Sequence, residues 1–350
     1  MKNEKMTSME RVFASLSFEQ PDRVPIFLLF TFYGAKELGI SIKEYFQSPE
    51  LVLEAQKRFR KRYSNDCFFG FLYAAAEIEA WGGEVLFAED GPPNSGEPFI
   101  KDPEQIRDLE VPVFEECPAL MRTLKTIELL KEEGKDEVPV IGVALSPFSV
   151  PVMQMGFDKY LDLILDEGRR DLFDQLMRLN SEFCVRWANA QVKAGATAIT
   201  YFDPLASSDM LPLELYRSTG FEVAKRTIAR IQAPTATHLA SARTARVLPL
   251  LSETGTGAVG LSSQDDLDEV KKLSTDHGIA IIGNLNAIDM RNWSEHEARA
   301  EVKRVFDKCA SGGGFILSDN HGEIPWFVPE YVLEAVSDTV LNWKNESRDT

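Results

Sequence analysis

Eight short apolar runs, separated by helical segments, constrain the fold of this chain more than any other feature of its sequence. Each run has five to eight residues and is rich in Val, Ile, Leu, Phe and Ala, which is typical of strands buried on both faces. The predicted strands are Val24–Phe30, Cys67–Phe71, Val138–Leu145, Ala196–Phe202, Thr235–Ala240, Ala258–Ser262, Ile279–Leu285 and Gly314–Ser318. Eight strands that alternate with helices predict an α/β fold of the (β/α)8 TIM barrel type.

The helical segments support this prediction. Glu295–Cys309 has an apolar stripe, and Ser294 with Glu297 forms a capping box at its start. Met6–Leu16 predicts a short amphipathic helix, so we expect residues 1–350 to form a single barrel domain with an N-terminal helical extension. The alternative is an open, doubly wound sheet, which usually has a glycine-rich phosphate turn after an early strand, and this sequence has no such turn.

Composition restricts the partners and the compartment. The 350 residues include 55 Asp and Glu against 38 Lys and Arg, and the net charge of −17 argues against nucleic acid or an anionic membrane as the main partner. No run approaches the roughly 18 apolar residues of a membrane span. The four cysteines are dispersed and form no CxxC pair, and the N-terminal residues include no apolar signal region. We therefore expect a cytoplasmic protein.

Several predicted strands end in polar residues that could form an active site. In a barrel these ends meet on the C-terminal face, where the catalytic groups lie. Each position also has a purely structural explanation: Asp203 precedes a proline and is typical of a turn, and a single histidine such as His238 is often a hydrogen-bonded core residue. The candidate residues at strand ends are Tyr201, Asp203, His238, Asn284, Asp319, Asn320, His321 and Glu323.

The motifs at these strand ends resemble those of the uroporphyrinogen decarboxylase superfamily. The resemblance rests on YFDPLASSDMLPLELY, THLASARTARVLPLLSETG, IIGNLN and GGFILSDNHGEIP, and it extends over nearly the whole chain, from about Met6 to Leu341. EAWGGEVLFAEDGPP resembles the methyltransferase branch in particular. The resemblance implies a (β/α)8 barrel and one of two chemistries, porphyrinogen decarboxylation or corrinoid-dependent methyl transfer.

The decarboxylase chemistry fits the residues poorly. The resemblance implies an arginine-rich segment after the first strand, whereas Phe27–Gly34 contains no arginine. Tyr73 stands where the family has the aspartate that binds the pyrrole N–H groups, and Met153 stands in place of a family tyrosine. A substrate with many carboxylates would meet an apolar wall, and unpaired buried carboxylates are costly.

The zinc site of the thiol-methylating members is also changed. The resemblance implies a His-x-Cys pair and a distant Cys, but here His238 is followed by Ala240, and Asp319–Gly322 occupies the distant position. A site with two thiolates is therefore excluded. Zinc held by His238, His321 and a carboxylate remains open, and the carboxylate would come from Glu323, Asp319 or Glu77.

The remaining chemistry is methyl transfer from a methoxylated compound, which we expect to be aromatic, to the reduced cobalt of a corrinoid. The chain has no Asp-x-His-x-x-Gly corrinoid signature, so we expect the corrinoid (cobalamin) on a separate partner protein. His321 or His238 would act as general acid, with Asp319 and Glu323 as further catalytic candidates. The predicted substrate-binding residues are Phe30, Tyr33, Tyr73, Glu77, Met153, Tyr201, Asp203, Asn284 and Asn320. A methylcobamide-dependent methyltransferase with a variant zinc site, a decarboxylase and a ligand-binding barrel without catalysis are the alternatives.

Overall fold

A curled, seven-stranded parallel sheet with helices outside it forms the framework of the protein. The computed structural model describes residues 6–343. The sheet has the order β1-β4-β5-β6-β7-β8-β9, and β2 pairs with β3 in a separate antiparallel hairpin. The strands are β1 Phe68–Phe69, β2 Val85–Leu86, β3 Asn94–Ser95, β4 Val140–Leu145, β5 Ala198–Phe202, β6 Thr235–His238, β7 Ala258–Gly260, β8 Ala280–Leu285 and β9 Phe315–Asp319.

Helices connect successive strands and cover the outer face of the sheet. No helix within residues 6–343 has the length and apolar character needed to cross a membrane. The helices are α1 Ser8–Leu16, α2 Tyr33–Leu38, α3 Ile42–Gln47, α4 Pro49–Tyr63, α5 Ala75–Ala80, α6 Pro118–Gly134, α7 Pro151–Met155, α8 Phe157–Leu165, α9 Arg170–Ala194, α10 Leu213–Ser218, α11 Gly220–Ile228, α12 Leu248–Ser252, α13 Leu267–His277, α14 Glu295–Cys309 and α15 Glu330–Asn342.

Local sequence signals explain where the helices begin. The predicted capping box of α14 is present, since the Ser294 hydroxyl accepts from the Glu297 N–H and the Glu297 carboxylate accepts from the Ser294 N–H. Helix α1 begins with the same device, built from Thr7 and Glu10. The predicted single domain over 1–350 stays a prediction, and it extends at both ends beyond the described residues.

The predicted first strand, Val24–Phe30, is not a regular strand, and this corrects the expectation of eight regular strands. It joins β9 through a single bridge between Ile26 and Leu317, with hydrogen bonds from Phe27 N to Leu317 O (2.8 Å) and from Leu317 N to Pro25 O (2.9 Å). Pro25 has no N–H to donate, which limits the ladder on this side. Seven parallel strands are therefore established, and an eight-stranded closed barrel is not.

On its other side the same segment is held mainly by side chains. The Asn65 Oδ1 atom accepts from Leu28 N (2.8 Å), and the Asp66 Oδ2 atom accepts from Ile26 N (2.9 Å). The buried Asp66 carboxylate also accepts from Arg11 Nη1 (2.8 Å) and Arg23 Nη1 (2.7 Å). Side-chain hydrogen bonds thus replace part of the ladder that would otherwise join this segment to β1.

Asp66→Asn should lower the free energy of unfolding by about 3 kcal/mol, because it removes a buried charge that is shared by two guanidinium groups, Arg11 and Arg23. Urea denaturation of both proteins measures the difference. Asp136→Asn is the control, since Asp136 pairs with Lys131 at the surface with its side chain 98% exposed, and it should cost less than about 0.5 kcal/mol. Equal effects of the two substitutions would contradict the role of Asp66.

Candidate active site

A cavity of about 230 Å³ lies inside the curled sheet, near the C-terminal ends of its strands. Five aromatic rings contribute to its wall, and none of its lining residues is Lys or Arg. The lining residues are Phe27, Leu29, Phe69, Phe71, Tyr73, Ala74, Pro92, Pro93, Asn94, Val143, Thr200, Phe202, Ala236, Thr237, His238, Gly260, Ile282, His321, Gly322 and Glu323. The cavity is thus largely apolar, and its titratable groups are Tyr73, His238, His321 and Glu323.

The two-residue period of extended backbone decides which side chains reach this cavity. In the first segment, Phe27 and Leu29 belong to the inner cluster of the sheet, while Leu28 and Phe30 belong to the core beneath the helices. The rings of Phe27 and Phe69 meet edge to face with centroids 5.5 Å apart. Neighbouring strands therefore present one continuous aromatic surface to the cavity.

His238, at the end of β6, is buried and has a defined orientation. Its Nδ1 atom accepts a hydrogen bond from Ala240 N at 3.0 Å. A backbone N–H can only donate, so Nδ1 carries no proton and the neutral ring is protonated on Nε2. The ring stacks on Phe202 at a centroid distance of 5.9 Å. Burial, with a smaller effect of His321, lowers the pKa of His238 to about 4, so His238 is a neutral hydrogen-bond donor at pH 7.

Gly260 makes room for the His238 imidazole, and Gly322 lies beside the same ring. A Cβ atom at Gly260 would lie 2.9 Å from His238 Cδ2, which is closer than real Cβ contacts. Gly322 faces the other edge of the ring, and its φ of +99° is also suited to glycine. Both glycines line the cavity, so they position the histidine as well as shape the wall.

His321 follows β9 and lines the same cavity as His238, as predicted for a shared site. Its Nδ1 atom lies 2.8 Å from Ser241 Oγ, which joins the loop after β9 to the loop after β6. Burial, followed by the charge of Arg291, lowers the pKa of His321. This histidine is therefore mainly neutral at pH 7.

Glu323 is the carboxyl group that lines the cavity. Its Oε2 atom accepts a hydrogen bond from Thr31 Oγ1 at 3.1 Å. Burial, assisted by the nearby Asp319, raises the pKa of Glu323 to about 7. A carboxyl group with this pKa is present in both protonation states near neutral pH, which suits proton transfer.

Asp319, predicted as catalytic, has a structural position. It is buried at the end of β9, and its Oδ1 atom accepts from Leu29 N at 2.8 Å. Burial raises the pKa of Asp319 to about 6. The residue does not line the cavity. Its hydrogen bond joins β9 to the first segment, and its charge contributes to the raised pKa of Glu323.

Of the four aromatic residues predicted to contact the substrate, three do not line the cavity. Tyr73 lines the cavity. Phe30 instead stacks on Phe59 in the outer core, with ring centroids 4.1 Å apart, and the Tyr33 hydroxyl donates to Val328 O at 2.9 Å. Tyr201 also belongs to the outer core, because it alternates with inward-facing neighbours. None of these three rings lines the cavity. Phe30 and Tyr201 face the helices because they alternate with residues that face the cavity, and Tyr33 lies in α2, beyond the first segment.

Three further predicted contacts lie around the cavity without lining it. Glu77 is buried, and its Oε1 atom accepts from Leu145 N at 3.0 Å. Asp203 Oδ1 accepts from Ser149 Oγ at 2.5 Å, also in a buried position. Met153 packs against a small cluster that contains Leu145. Burial raises the pKa of Glu77 to about 8 and that of Asp203 to about 6, so these carboxyl groups serve as buried hydrogen-bonding groups.

The two predicted asparagines connect loops at the strand ends. Asn284 Nδ2 donates to Ser262 O at 3.0 Å, and Asn320 Oδ1 accepts from Ala287 N at 3.2 Å. Both residues are buried and neither lines the cavity. Their contacts hold the loops that surround the site.

The described residues do not form the zinc site of His238, His321 and a carboxylate that the sequence left open. Within residues 6–343 no group of three or more His, Cys, Asp and Glu side chains is placed to hold a metal ion. The Nδ1 atom of His238 is already bonded to Ala240 N, and Glu77 and Asp319 accept backbone hydrogen bonds away from the cavity. The groups that can transfer a proton at this cavity are therefore side chains of the protein.

Much of the cavity wall was not identified from the sequence. The predicted candidates were polar residues at strand ends. None of the following wall residues has both properties: Phe69, Phe71, Thr200, Phe202 and Gly260. The position of His238 could have identified part of the wall. A residue that pairs with His238 on a neighbouring strand, or lies two positions from such a residue, faces the same side of the sheet. The Pro92–Asn94 segment of the hairpin carried no comparable signal.

A curled parallel sheet with an apolar cavity and polar groups at its strand ends defines the protein as an α/β protein of the kind that binds small molecules at that end. The uroporphyrinogen decarboxylase (URO-D) family profile matches residues 7–343. The chain therefore belongs to this family, whose members are enzymes.

Curated relatives agree with this assignment over nearly the whole chain. The chain is 26% identical to the uroporphyrinogen decarboxylase of Xylella fastidiosa, with 95% of this chain and 98% of the relative covered. It is 25% identical to that of Thioalkalivibrio sulfidiphilus, with 94% and 96% covered.

Solved structures show the same fold. A methyltransferase from Methanosarcina mazei has a TM-score of 0.83 at 20% identity, with 96% of this chain and 98% of that chain covered. A B12-independent methionine synthase from Shewanella sp. W3-18-1 has a TM-score of 0.54 at 11% identity, with 83% and 86% covered. At these identities the similarity concerns the fold alone.

Glu77→Gln should remove part of the alkaline destabilisation of the protein. The pKa of Glu77 is raised from 4.5 to about 8, so between these pH values the folded state holds a proton that the unfolded state has released. Stability therefore falls as the pH rises through this range and levels off above it. Between pH 7 and pH 9 the loss from this group is about 1 kcal/mol. Urea denaturation at both pH values should show a smaller loss in the variant. An unchanged loss would mean that Glu77 ionises normally.

Proposed function

We propose that this protein transfers a methyl group from a methoxylated aromatic compound to the reduced cobalt of a separate corrinoid protein, as the O-demethylating component of a methyltransferase system. The observation that carries the proposal is the cavity, which is aromatic-walled, without Lys or Arg, and has histidine and carboxyl groups in its wall. Aromatic and aliphatic walls with a few polar groups suit a planar, mainly apolar donor.

The size of the cavity supports a donor with a single ring. A cavity of about 150 Å³ holds benzene in another protein, and the cavity here has about 230 Å³. A drug-sized ligand usually takes about 300 Å³ or more. A porphyrinogen has four pyrrole rings and many carboxylates, so it would need more room and cationic partners than this wall provides.

The two histidines would act as neutral donors towards the ether oxygen. Nδ1 of His238 is occupied by Ala240 N, so the Nε2–H group is the one free to donate. A neutral donor polarises the ether oxygen without adding a second charge to the cavity. His321, fixed by Ser241, would provide a second polar contact at the same wall.

Glu323 would supply the proton. When the aryl O–CH3 bond breaks, the methyl group goes to the cobalt and the bonding electron pair stays on the oxygen. The protonated Glu323 then delivers its proton to that oxygen, which gives the phenol and leaves the carboxylate. Its raised pKa, close to 7, keeps the acid form available, and Thr31 holds one carboxyl oxygen in place.

The methyl acceptor enters this scheme as the second substrate. The corrinoid supplies the nucleophilic cobalt, and it arrives on a partner protein because this chain lacks the corrinoid signature. No residue of this chain is assigned to hold it. A thiol-dependent methylcobamide reaction is a weaker fit, since the four cysteines are buried in the described structure.

Decarboxylation of a porphyrinogen is the second candidate, and the relatives favour it. The family profile and the curated relatives, at about 26% identity over nearly the full length, are uroporphyrinogen decarboxylases. The apolar wall without cations argues in the other direction.

One pair of assays separates these candidates. The protein is mixed anaerobically with a reduced corrinoid protein and a panel of methoxyarenes, and in parallel with uroporphyrinogen. We expect the methyl-cobalt absorption spectrum to appear in the first assay and no carbon dioxide release in the second. Carbon dioxide release without methyl-cobalt would replace the proposal with the decarboxylase function.

Glu323→Gln should reduce the rate of methyl transfer by about 10²- to 10⁴-fold at pH 6, because the variant keeps the shape but has no proton to give. The wild-type rate should fall as the pH rises above about 7, since the acid form is then lost. The variant should not show this fall. The loss of rate in the variant should be smaller for donors that release a more acidic phenol, because a more stable phenolate needs less help from a proton.

Two further variants control this experiment. Glu77→Gln also replaces a buried carboxyl group of raised pKa, but outside the cavity, and should keep the wild-type rate and pH profile. His321→Ala should lower the rate without removing the fall above pH 7. If His321→Ala abolishes the pH dependence and Glu323→Gln does not, the histidine is the acid and the assignment of Glu323 is wrong.

A further inference from the structure

We propose that the methyl donor is an uncharged single-ring methoxyarene with a second polar substituent, and that the Thr200 hydroxyl binds this substituent at the inner end of the cavity. That the ligand is a methyl donor rests on the proposed function. The binding site itself rests on the position of Thr200 and on the charges around the cavity.

Thr200 lies on the inner face of β5. Its neighbours at two-residue spacing, Ala198 and Phe202, pack against the inner cluster, whereas Ile199 and Tyr201 pack in the outer core. Thr200 lines the cavity and is only partly buried. The alternation therefore directs its side chain towards the cavity.

The Thr200 hydroxyl has no hydrogen-bonding side chain directly beside it in the sheet. In the register of the sheet Thr200 pairs with Val143 on one side and Ala236 on the other, and both are apolar cavity residues. Within residues 6–343 no hydrogen bond of the Thr200 side chain to another protein group is present. A hydroxyl in an apolar wall is stabilised when a ligand group pairs with it.

Thr200 and the catalytic groups are at opposite ends of the cavity. Phe202 pairs with His238, and Thr200 precedes Phe202 by two residues, which places it about 7 Å further from the strand ends. A benzene ring with substituents on opposite sides spans a gap of this kind. The methoxy group would lie beside His238 and Glu323, and the second substituent beside Thr200.

The charges around the cavity select an uncharged donor. Lys and Arg are absent from the lining, and the lining carboxyl group, Glu323, lies near the buried Asp319. The charge of Arg291 acts on His321, but this exposed residue does not line the cavity. A carboxylate on the donor would be desolvated without a cationic partner, whereas a phenolic hydroxyl would pair with Thr200 without that penalty.

Calorimetric titration of the whole protein without any corrinoid protein tests the inference. The probes are 4-methoxyphenol, methoxybenzene and 4-methoxybenzoate, which share the ether and differ in the opposite substituent. We expect 4-methoxyphenol to bind most tightly and 4-methoxybenzoate most weakly. Thr200→Val should weaken binding of 4-methoxyphenol about 3- to 10-fold and leave methoxybenzene unchanged, because it removes only the hydroxyl.

Thr235→Val is the matched control. Thr235 is a buried threonine on β6 whose hydroxyl also has no partner, but it does not line the cavity. This variant should bind all three probes as the wild type does. Tightest binding of 4-methoxybenzoate, an unchanged affinity of Thr200→Val for 4-methoxyphenol, or no binding of any probe would overturn the inference.

The same probes separate this inference from the proposed function. If they bind in the expected order but no methyl-cobalt spectrum forms with the corrinoid protein, the cavity assignment stands and the methyl-transfer proposal fails. If methyl transfer occurs and Thr200→Val has the wild-type preference among donors, the proposed function stands and the role of Thr200 fails.

Discussion

The alternation of side chains across each strand is the constraint on which the site depends. A parallel sheet covered by helices has two buried faces, and consecutive residues must serve one face each. The outer residues, such as Phe30 and Tyr201, complete the core beneath the helices, while Phe27, Thr200 and Phe202 turn towards the cavity. A shift of one residue in any strand would exchange these two sets, so the sheet register and the composition of the cavity are determined together.

Burial in an apolar wall then determines the protonation states. Desolvation is the largest cause in each case, and it lowers the pKa of His238 and raises that of Glu323. Both changes favour the uncharged form. A cavity with neutral donors and a carboxyl group that keeps part of its acid form near pH 7 differs from a cavity that binds many carboxylates, which would need fixed positive charges.

Membership of the uroporphyrinogen decarboxylase family and the proposed methyl transfer are compatible in physical terms. Family membership rests on the sequence as a whole, which the profile matches over residues 7–343. Function depends on the few side chains that face the cavity. A change of the side chains on that face would change the substrate class while leaving the outer core, and hence the fold, the same.

The sequence alone predicted the seven parallel strands in their order, the N-terminal cap of α14, and a position for His238, His321 and Glu323 at one end of the strands. These features follow from local periodicity and from the rule that parallel strands end at the same edge. The tertiary structure decided that the first segment is joined to the β1 side mainly by Asn65 and Asp66, and that Tyr33 and Asp203 have structural contacts. Their roles depend on partners hundreds or tens of residues away, which no local pattern encodes.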